Sequence, residues 1–148
     1  MIYLKSFTKL SNKEKREILK WRNHRKVRVH MFNDKKISYK EHIKFLKSLK
    51  KSKNSHFLVI KDNIPIGVIN LKGNEIGLYA SPYKKGVGKI LLKEAVKYAF
   101  WRKNLKNIIV QVFYNNKKAI KLYKKEGFRK IGKTRVNKKQ VLIMEKKR

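Results

Sequence analysis

The chain has 148 residues, with 42 Lys and Arg against nine Asp and Glu, a formal net charge of +33. Hydrophobic residues make up 41% and aromatics 11%, enough for a packed core, so the composition excludes a disordered polycation. With no cysteine, disulfide frameworks, thiolate metal sites and cysteine nucleophiles are excluded as well. The length fits a single domain over 1–148, and no apolar run approaches the ~20 residues of a membrane span. The opening MIYLKSF reads as a strand, because its apolar stretch is too short for a signal peptide. A cytoplasmic domain is therefore expected. By itself the charge points to nucleic acid or another anionic partner. Lysine is spread along the whole chain, however, and not gathered into a basic tail, so compositional bias competes with function as its cause.

Residues 2–7 alternate as a strand does. Ser11 and Glu14 then form S-x-x-E, a capping box opening a helix to about Arg22. Residues 24–37 show no period and read as a loop. Ser38 and Glu41 form a second capping box, opening a helix to about Lys50. On it Ile43, Leu46 and Lys50 make one stripe, and His42, Phe45 and Leu49 another. His56–Lys61 is a strand, Asp62-Asn63 a turn, and residues 64–71 the returning strand of a hairpin. Residues 75–80 form a further strand, followed by a helix over about 87–102 whose apolar positions recur at three and four. Residues 107–113 are rich in β-branched side chains and read as a strand. A helix follows Asn116 and ends at Gly127, placed as its C′ residue, and two strands near 128–133 and 139–145 close the chain. The order β-α-α-β-β-β-α-β-α-β-β makes a mixed α/β domain around one sheet, not a doubly wound dinucleotide fold.

Chemistry concentrates in two segments. The first is Tyr83-Lys84-Lys85-Gly86-Val87-Gly88, between a strand and a helix. Glycines at 86 and 88 let backbone N–H groups converge at the helix start, an arrangement that binds anionic oxygen, and Lys84, Lys85 and Lys89 add charge. A plain glycine turn is the competing explanation. The second is Asn116-x-x-Ala119-x-x-Leu122-Tyr123-x-x-x-Gly127-Phe128. Asn116 either caps its helix or meets a ligand, and Tyr123 is either a core residue or a functional one.

Together these segments resemble the GCN5-related N-acetyltransferase (GNAT) family, and the order of elements matches that fold from residue 2 to about 145. The family's loop is written [RQ]-x-x-G-x-[GA], so Tyr83 departs from it at the first position. The resemblance implies a mostly antiparallel sheet flanked by about four helices, acetyl-CoA as co-substrate and no metal. It implies that strand 75–80 splays from strand 107–113, with backbone groups near Leu78 and Tyr79 pairing with the pantetheine and an amide there polarising the thioester carbonyl. It gives the cofactor site as Leu78, Tyr79, Lys84, Lys85, Gly86, Val87, Gly88, Lys89, Asn116, Ala119 and Tyr123, with Tyr123 protonating the departing thiolate. Glu75 is the one carboxylate on the correct strand to take the amine's proton, directly or through water; a rim salt bridge is its other reading.

Trp21-Arg22-Asn23-His24, then His30-Met31-Phe32, then Glu41-His42-Ile43-x-Phe45-Leu46 resemble one subgroup, the N-acetyltransferases of pseudaminic acid biosynthesis. Tyr79-x-x-Pro82-x-Lys84-x-Gly86 is similar to that subgroup too. Such enzymes acetylate the 4-amino group of a UDP-4-amino-4,6-dideoxy-N-acetyl sugar. Arg22 and His42 suit its phosphates, and Met31, Phe32, Phe45 and Tyr79 its uracil and sugar faces. His24, Asn70 and Tyr83 complete the expected acceptor site. Core packing for Trp21, Met31, Phe32 and Phe45, and helix capping for His24, are the competing roles. An acceptor peptide, as in protein or ribosomal-protein N-terminal acetylation, would favour acidic residues that this chain has few of. An aminoglycoside acceptor is polycationic and fits a +33 protein poorly. A nucleic-acid-binding module would leave the Gly86/Gly88 loop and the Asn116–Phe128 pattern without purpose, and a homodimer through edge strands is plausible on pattern alone.

Overall fold

The computed structural model describes residues 1–148. β1 (Ile2–Ser6) leads through a 3₁₀ turn into α1 (Asn12–Asn23), the short α2 (Arg25–Arg28) and α3 (Tyr39–Ser48). A hairpin of β2 (Ser55–Lys61) and β3 (Ile64–Lys72) precedes β4 (Glu75–Ala80). Then come α4 (Gly88–Lys97), extended by a π turn over Tyr98–Arg102, β5 (Asn107–Phe113), α5 (Lys117–Lys125), β6 (Arg129–Val136) and β7 (Lys139–Lys147).

Both capping boxes form. Ser11 Oγ accepts from Glu14 N at 3.1 Å while Ser11 N donates to Glu14 Oε1 at 2.8 Å, and Ser38 and Glu41 repeat the exchange. Asp62 and Asn63, both at positive φ, make the β2–β3 turn; Asn137 and Lys138 make the same turn between β6 and β7, so β6 runs farther than the sequence suggested. Two departures are instructive. α2 occupies part of the segment expected to be loop, a single turn too short to show a period. On α3 and the 3₁₀ turn that follows it, the buried face is His42, Leu46 and Leu49, not the Ile43/Leu46/Lys50 stripe. The stripe was ambiguous because apolar side chains lie on both sides of it.

The seven strands form one sheet in the order β1-β2-β3-β4-β5-β7-β6, antiparallel throughout except β4 against β5. One face packs on α4 and α5 through Leu91, Leu92, Ile120 and Phe128; the other packs on α1 and α3 through Ile18, Trp21, Leu46 and Leu58. Burying both faces of a sheet this way accounts for the continuous apolar runs in β2, β3 and β5.

Candidate active site

The parallel pair is where the sheet opens. β4 and β5 register only at Glu75 and Ile109, with Ile109 N donating to Asn74 O at 2.9 Å; beyond that point the strands diverge. On its other edge β4 stays paired with β3 to its end, where Ser81 N donates to Ile66 O at 2.9 Å. Backbone direction alternates along a strand, so Tyr79, two residues before Ser81, turns its N–H and C=O to β3, and Leu78 turns its own into the opening. Of the two residues expected to pair with a cofactor chain there, Leu78 qualifies. The Tyr79 backbone does not; its side chain lines the cleft instead.

At the far end of β4, Lys84 N donates to Ser81 O at 3.1 Å and closes a turn. Gly86 adopts φ +72, a left-handed conformation that glycine takes without penalty, and a Cβ there would meet nothing within 4 Å. The space in front of the loop is therefore open. α4 begins at Gly88 with no side-chain cap, and the first helical amides have no intrahelical acceptor. Lys84, Lys85 and Lys89 are exposed around this cradle, and a Cβ added at Gly88 would meet Leu122 of α5 at ordinary contact distance. Open strand edge, left-handed glycine and uncapped helix start fit a pantetheine-diphosphate.

α5 supplies the next elements. Asn116 is its N-cap, Oδ1 accepting from Ala119 N at 3.4 Å, so capping engages both residues. At the other end Phe128 N donates to Tyr123 O at 2.9 Å and Gly127 N to Lys124 O at 3.1 Å, the two bonds of a Schellman motif with Gly127 at φ +93. Its hydrophobic contact is Tyr123 on Phe128, ring centroids 5.6 Å apart. The Tyr-x-x-x-Gly-Phe spacing is thus a helix terminator that also fixes the Tyr123 ring. Tyr123 is 8% exposed yet reaches the cleft, and burial pushes its phenol up to about 12. It is a core residue whose hydroxyl stays protonated at neutral pH.

The cleft has a volume of about 470 Å³, within the range of small-molecule sites. Glu75 lines it and accepts from Gln111 Nε2 of β5 at 3.0 Å, across the point where the strands part. Opposite lie Arg22 of α1, Phe45 of α3, and Met31 and Phe32 of the α2–α3 loop. Arg22 Nη2 donates to Asn33 O at 2.6 Å, whereas Nη1 is buried without a partner. Burial lowers the guanidinium's affinity for its proton, with Tyr79 opposing, but an arginine keeps its charge. Burial likewise raises the Tyr79 phenol, against the pull of Arg22. Asn23 clips the loop from both sides, Nδ2 to Ile37 O at 2.8 Å and Oδ1 from Ile37 N at 2.7 Å. Phe32 packs on Phe113, centroids 5.2 Å apart, and its carbonyl accepts from Asn137 Nδ2 at 2.6 Å.

Three acceptor-side residues take other positions than expected. His24 caps α2, Nδ1 accepting from Lys26 N at 3.1 Å. Tyr83 is 54% exposed, edge-on to His24 at 5.7 Å and under the Lys20 ammonium. Neither lines the cleft. His42 does, but its Nε2 lies 2.9 Å from Lys15 O, so this nitrogen donates to the α1 carbonyl and joins α3 to α1. Burial keeps the ring neutral, which suits a structural tie better than a phosphate ligand. Three polar residues on the cleft wall escaped the sequence reading, Lys72, His56 and Gln111, and His30 entered it only as a member of a motif. Gln111 carried a signal, a lone polar side chain amid the apolar run of β5. His56 carried none beyond opening its strand.

Comparison with known proteins agrees with this geometry. The family model for the acetyltransferase (GNAT) family matches residues 16–128. The chain is 44% identical over 134 residues to the acetyltransferase PseH of Campylobacter jejuni subsp. jejuni serotype O:23/36 (strain 81-176), covering 86% of this chain and 85% of that one. It is similar to the crystal structure of the Campylobacter jejuni N-acetyltransferase PseH in complex with acetyl coenzyme A: TM-score 0.83, 35% identity, 100% of this chain and 99% of that chain. The spermidine N-acetyltransferase of Vibrio cholerae, in complex with CoA and spermine, shares the fold at TM-score 0.85 and 23% identity, over 97% of this chain and 94% of that chain. No helix of the chain is long and apolar enough to cross a membrane. The open β4 edge, the Gly86 cradle and the buried Tyr123 thus belong to an acetyl-CoA-dependent N-acetyltransferase, and the chain is a member of the GNAT family.

Proposed function

We propose that this enzyme acetylates the 4-amino group of UDP-4-amino-4,6-dideoxy-N-acetyl-β-L-altrosamine, a step of pseudaminic acid biosynthesis. The observation that carries the reading is Arg22 Nη1, buried, unpartnered and on the wall of a cleft with aromatic side chains. A buried guanidinium nitrogen without an acceptor is costly unless a ligand oxygen completes it, and a diphosphate does so with charge. Phe45 and Tyr79 offer flat apolar surface for a uracil and a 6-deoxy carbon. The similarity to PseH supports the same assignment.

Bound acetyl-CoA supplies the acetyl group as a thioester. The Leu78 N–H faces the opening between β4 and β5 and donates to the carbonyl oxygen as charge develops there. Glu75, oriented by Gln111, takes a proton from the attacking amine, directly or through water. Tyr123 gives its Oη proton to the departing thiolate. The amine attacks directly: nitrogen bonds to the acetyl carbon, the carbon–sulfur bond breaks, and no acyl-enzyme forms.

Glu75 is the single carboxylate on the cleft wall, which disfavours a cationic peptide or polyamine acceptor. Mass spectrometry of the UDP-4-amino-sugar incubated with enzyme and acetyl-CoA should show one added acetyl group. An unmodified sugar, alongside acetylated peptides from a library, would refute the assignment.

A further inference from the structure

Three strands place His56, Asn70 and Gly77 side by side: His56 of β2 registers with Asn70 of β3, and Asn70 with Gly77 of β4. Asn70 Nδ2 lies 3.3 Å from His56 Nε2. An amide NH₂ only donates, so Nε2 accepts and the ring carries its proton on Nδ1. Burial depresses the imidazole pKa to about 4, so Nε2 keeps its lone pair across the working pH range. The ring sits between Phe7 and Phe45, centroids 5.6 and 5.2 Å away, and Nδ1 is buried with no partner. Its contact with Asn70 is the one side-chain hydrogen bond that His56 makes.

With NH₂ turned to β2, the Asn70 oxygen turns the other way, over β4. A Cβ added at Gly77 would collide with Asn70 Oδ1, so the absent side chain is what makes room for it. Gly77 lies between Glu75 and Tyr79, and all three line the cleft. No protein donor reaches Oδ1.

We propose that His56 is a positioning residue, which fixes the Asn70 amide so that Oδ1 accepts an N–H of the attacking amine. The proposal rests on the cleft being the acceptor site. Asn70 Oδ1 holds one amine hydrogen and thereby aims the nitrogen lone pair at the acetyl carbon. A flipped amide would set NH₂ against the amine, donor facing donor. Gly77 is as necessary as the two polar residues, since a methyl group there displaces Oδ1.

His56→Phe keeps a ring between Phe7 and Phe45 but removes the acceptor nitrogen. It should lower kcat/KM for the acceptor about tenfold, the worth of roughly one hydrogen bond, and leave KM for acetyl-CoA unchanged. His56→Gln, whose Oε1 can accept from Asn70, should recover part of the loss. In an Asn70→Ala background His56→Phe should cost nothing further; a purely structural His56 would keep its cost there. Gly77→Ala should match Asn70→Ala in effect. The acceptor is the UDP-4-amino-sugar or, if wild-type enzyme turns over only peptides, an N-terminal-amine peptide. In the second case the UDP-sugar assignment fails while the comparison of variants still decides the role of His56. Long-range ¹H–¹⁵N spectra of the wild-type protein, with no acceptor present, should show the Nδ1–H tautomer of His56. The Nε2–H tautomer, or an unchanged kcat/KM in His56→Phe, overturns the proposal.

Discussion

β4 divides the site into two halves that are built differently. On the α4/α5 side, the Ser81–Gly88 loop, the Leu78 amide and the first turn of α4 present backbone groups, and Tyr123 is the one side chain proposed to take part in the chemistry. On the α1/α3 side, Arg22, Phe45, His56 and Asn70 come from four separate elements, and it is side chains that line the cleft. Backbone recognition depends on local conformation, so substitutions there act through φ and strand pairing. Side-chain recognition depends on how distant segments pack, so substitutions act one contact at a time. A co-substrate shared by a whole family suits the first kind of site, and an acceptor that varies suits the second.

The largest effect should come from the one side chain of the α4/α5 half proposed to take part in the chemistry. Tyr123→Phe keeps the packing on Phe128 and removes only Oη; kcat should fall at least ~100-fold with KM for acetyl-CoA nearly unchanged. An unaltered kcat would remove Tyr123 from the acid role. Next, Arg22→Ala should raise KM for the UDP-sugar about 10- to 100-fold, the range for losing a hydrogen bond to a charged group, while acetyl-CoA affinity holds. Equal damage to both substrates would erase the division between the halves.

On the backbone side, a Cβ at Gly86 meets nothing within 4 Å, but the β-branched residue of Gly86→Val at φ +72 costs about 1–2 kcal/mol, so acetyl-CoA affinity by calorimetry should weaken roughly tenfold. Gly127→Ala tests the terminator of α5. Its φ of +93 is unfavourable to alanine, and the new Cβ would lie 2.7 Å from Lys146 Nζ, which caps Glu126 O. A loss of about 1–2 kcal/mol should appear as a lower thermal midpoint, with activity retained at low temperature. A further effect is in pH dependence. The folded state holds His56 neutral down to about 4 while the unfolded chain binds that proton below ~6.5, so stability should fall as pH drops through this window. His56→Phe should flatten that decline.

The acceptor-side tetrad Trp21-Arg22-Asn23-His24 shows why its details were hard to foresee. As a string it looks like a binding motif. In the fold Trp21 is 2% exposed core, Asn23 clips a loop, His24 caps a one-turn helix, and Arg22 alone faces the cleft with a free nitrogen. Met31, Phe32 and Phe45 did reach the wall, because they lie on a loop and a helix face that close over the sheet. His56 stayed hidden because one histidine at the start of a strand has no local pattern; its meaning comes from Asn70, paired across the ladder. The charge divides in the same way. Glu14, Glu17, Glu41, Asp62, Glu75 and Glu145 all accept hydrogen bonds that hold the structure, so six of the nine acids have a local structural task while most lysines have none. An acetyl-CoA and a nucleotide-sugar diphosphate would both be drawn by that field.

Short-range physics is legible residue by residue along the chain. Capping boxes start α1 and α3, glycines take the left-handed positions at 86 and 127, β-branched runs make the strands, and the element order selects the fold. Long-range packing sets which β4 backbone groups stay free, because that follows from where β4 leaves β5. It decides too that Gln111 holds Glu75, and that His42 is tied to α1 while Arg22 is left open. Each of these depends on a partner far away in the chain, and side-chain direction across such distances is set by packing, which no local spacing encodes.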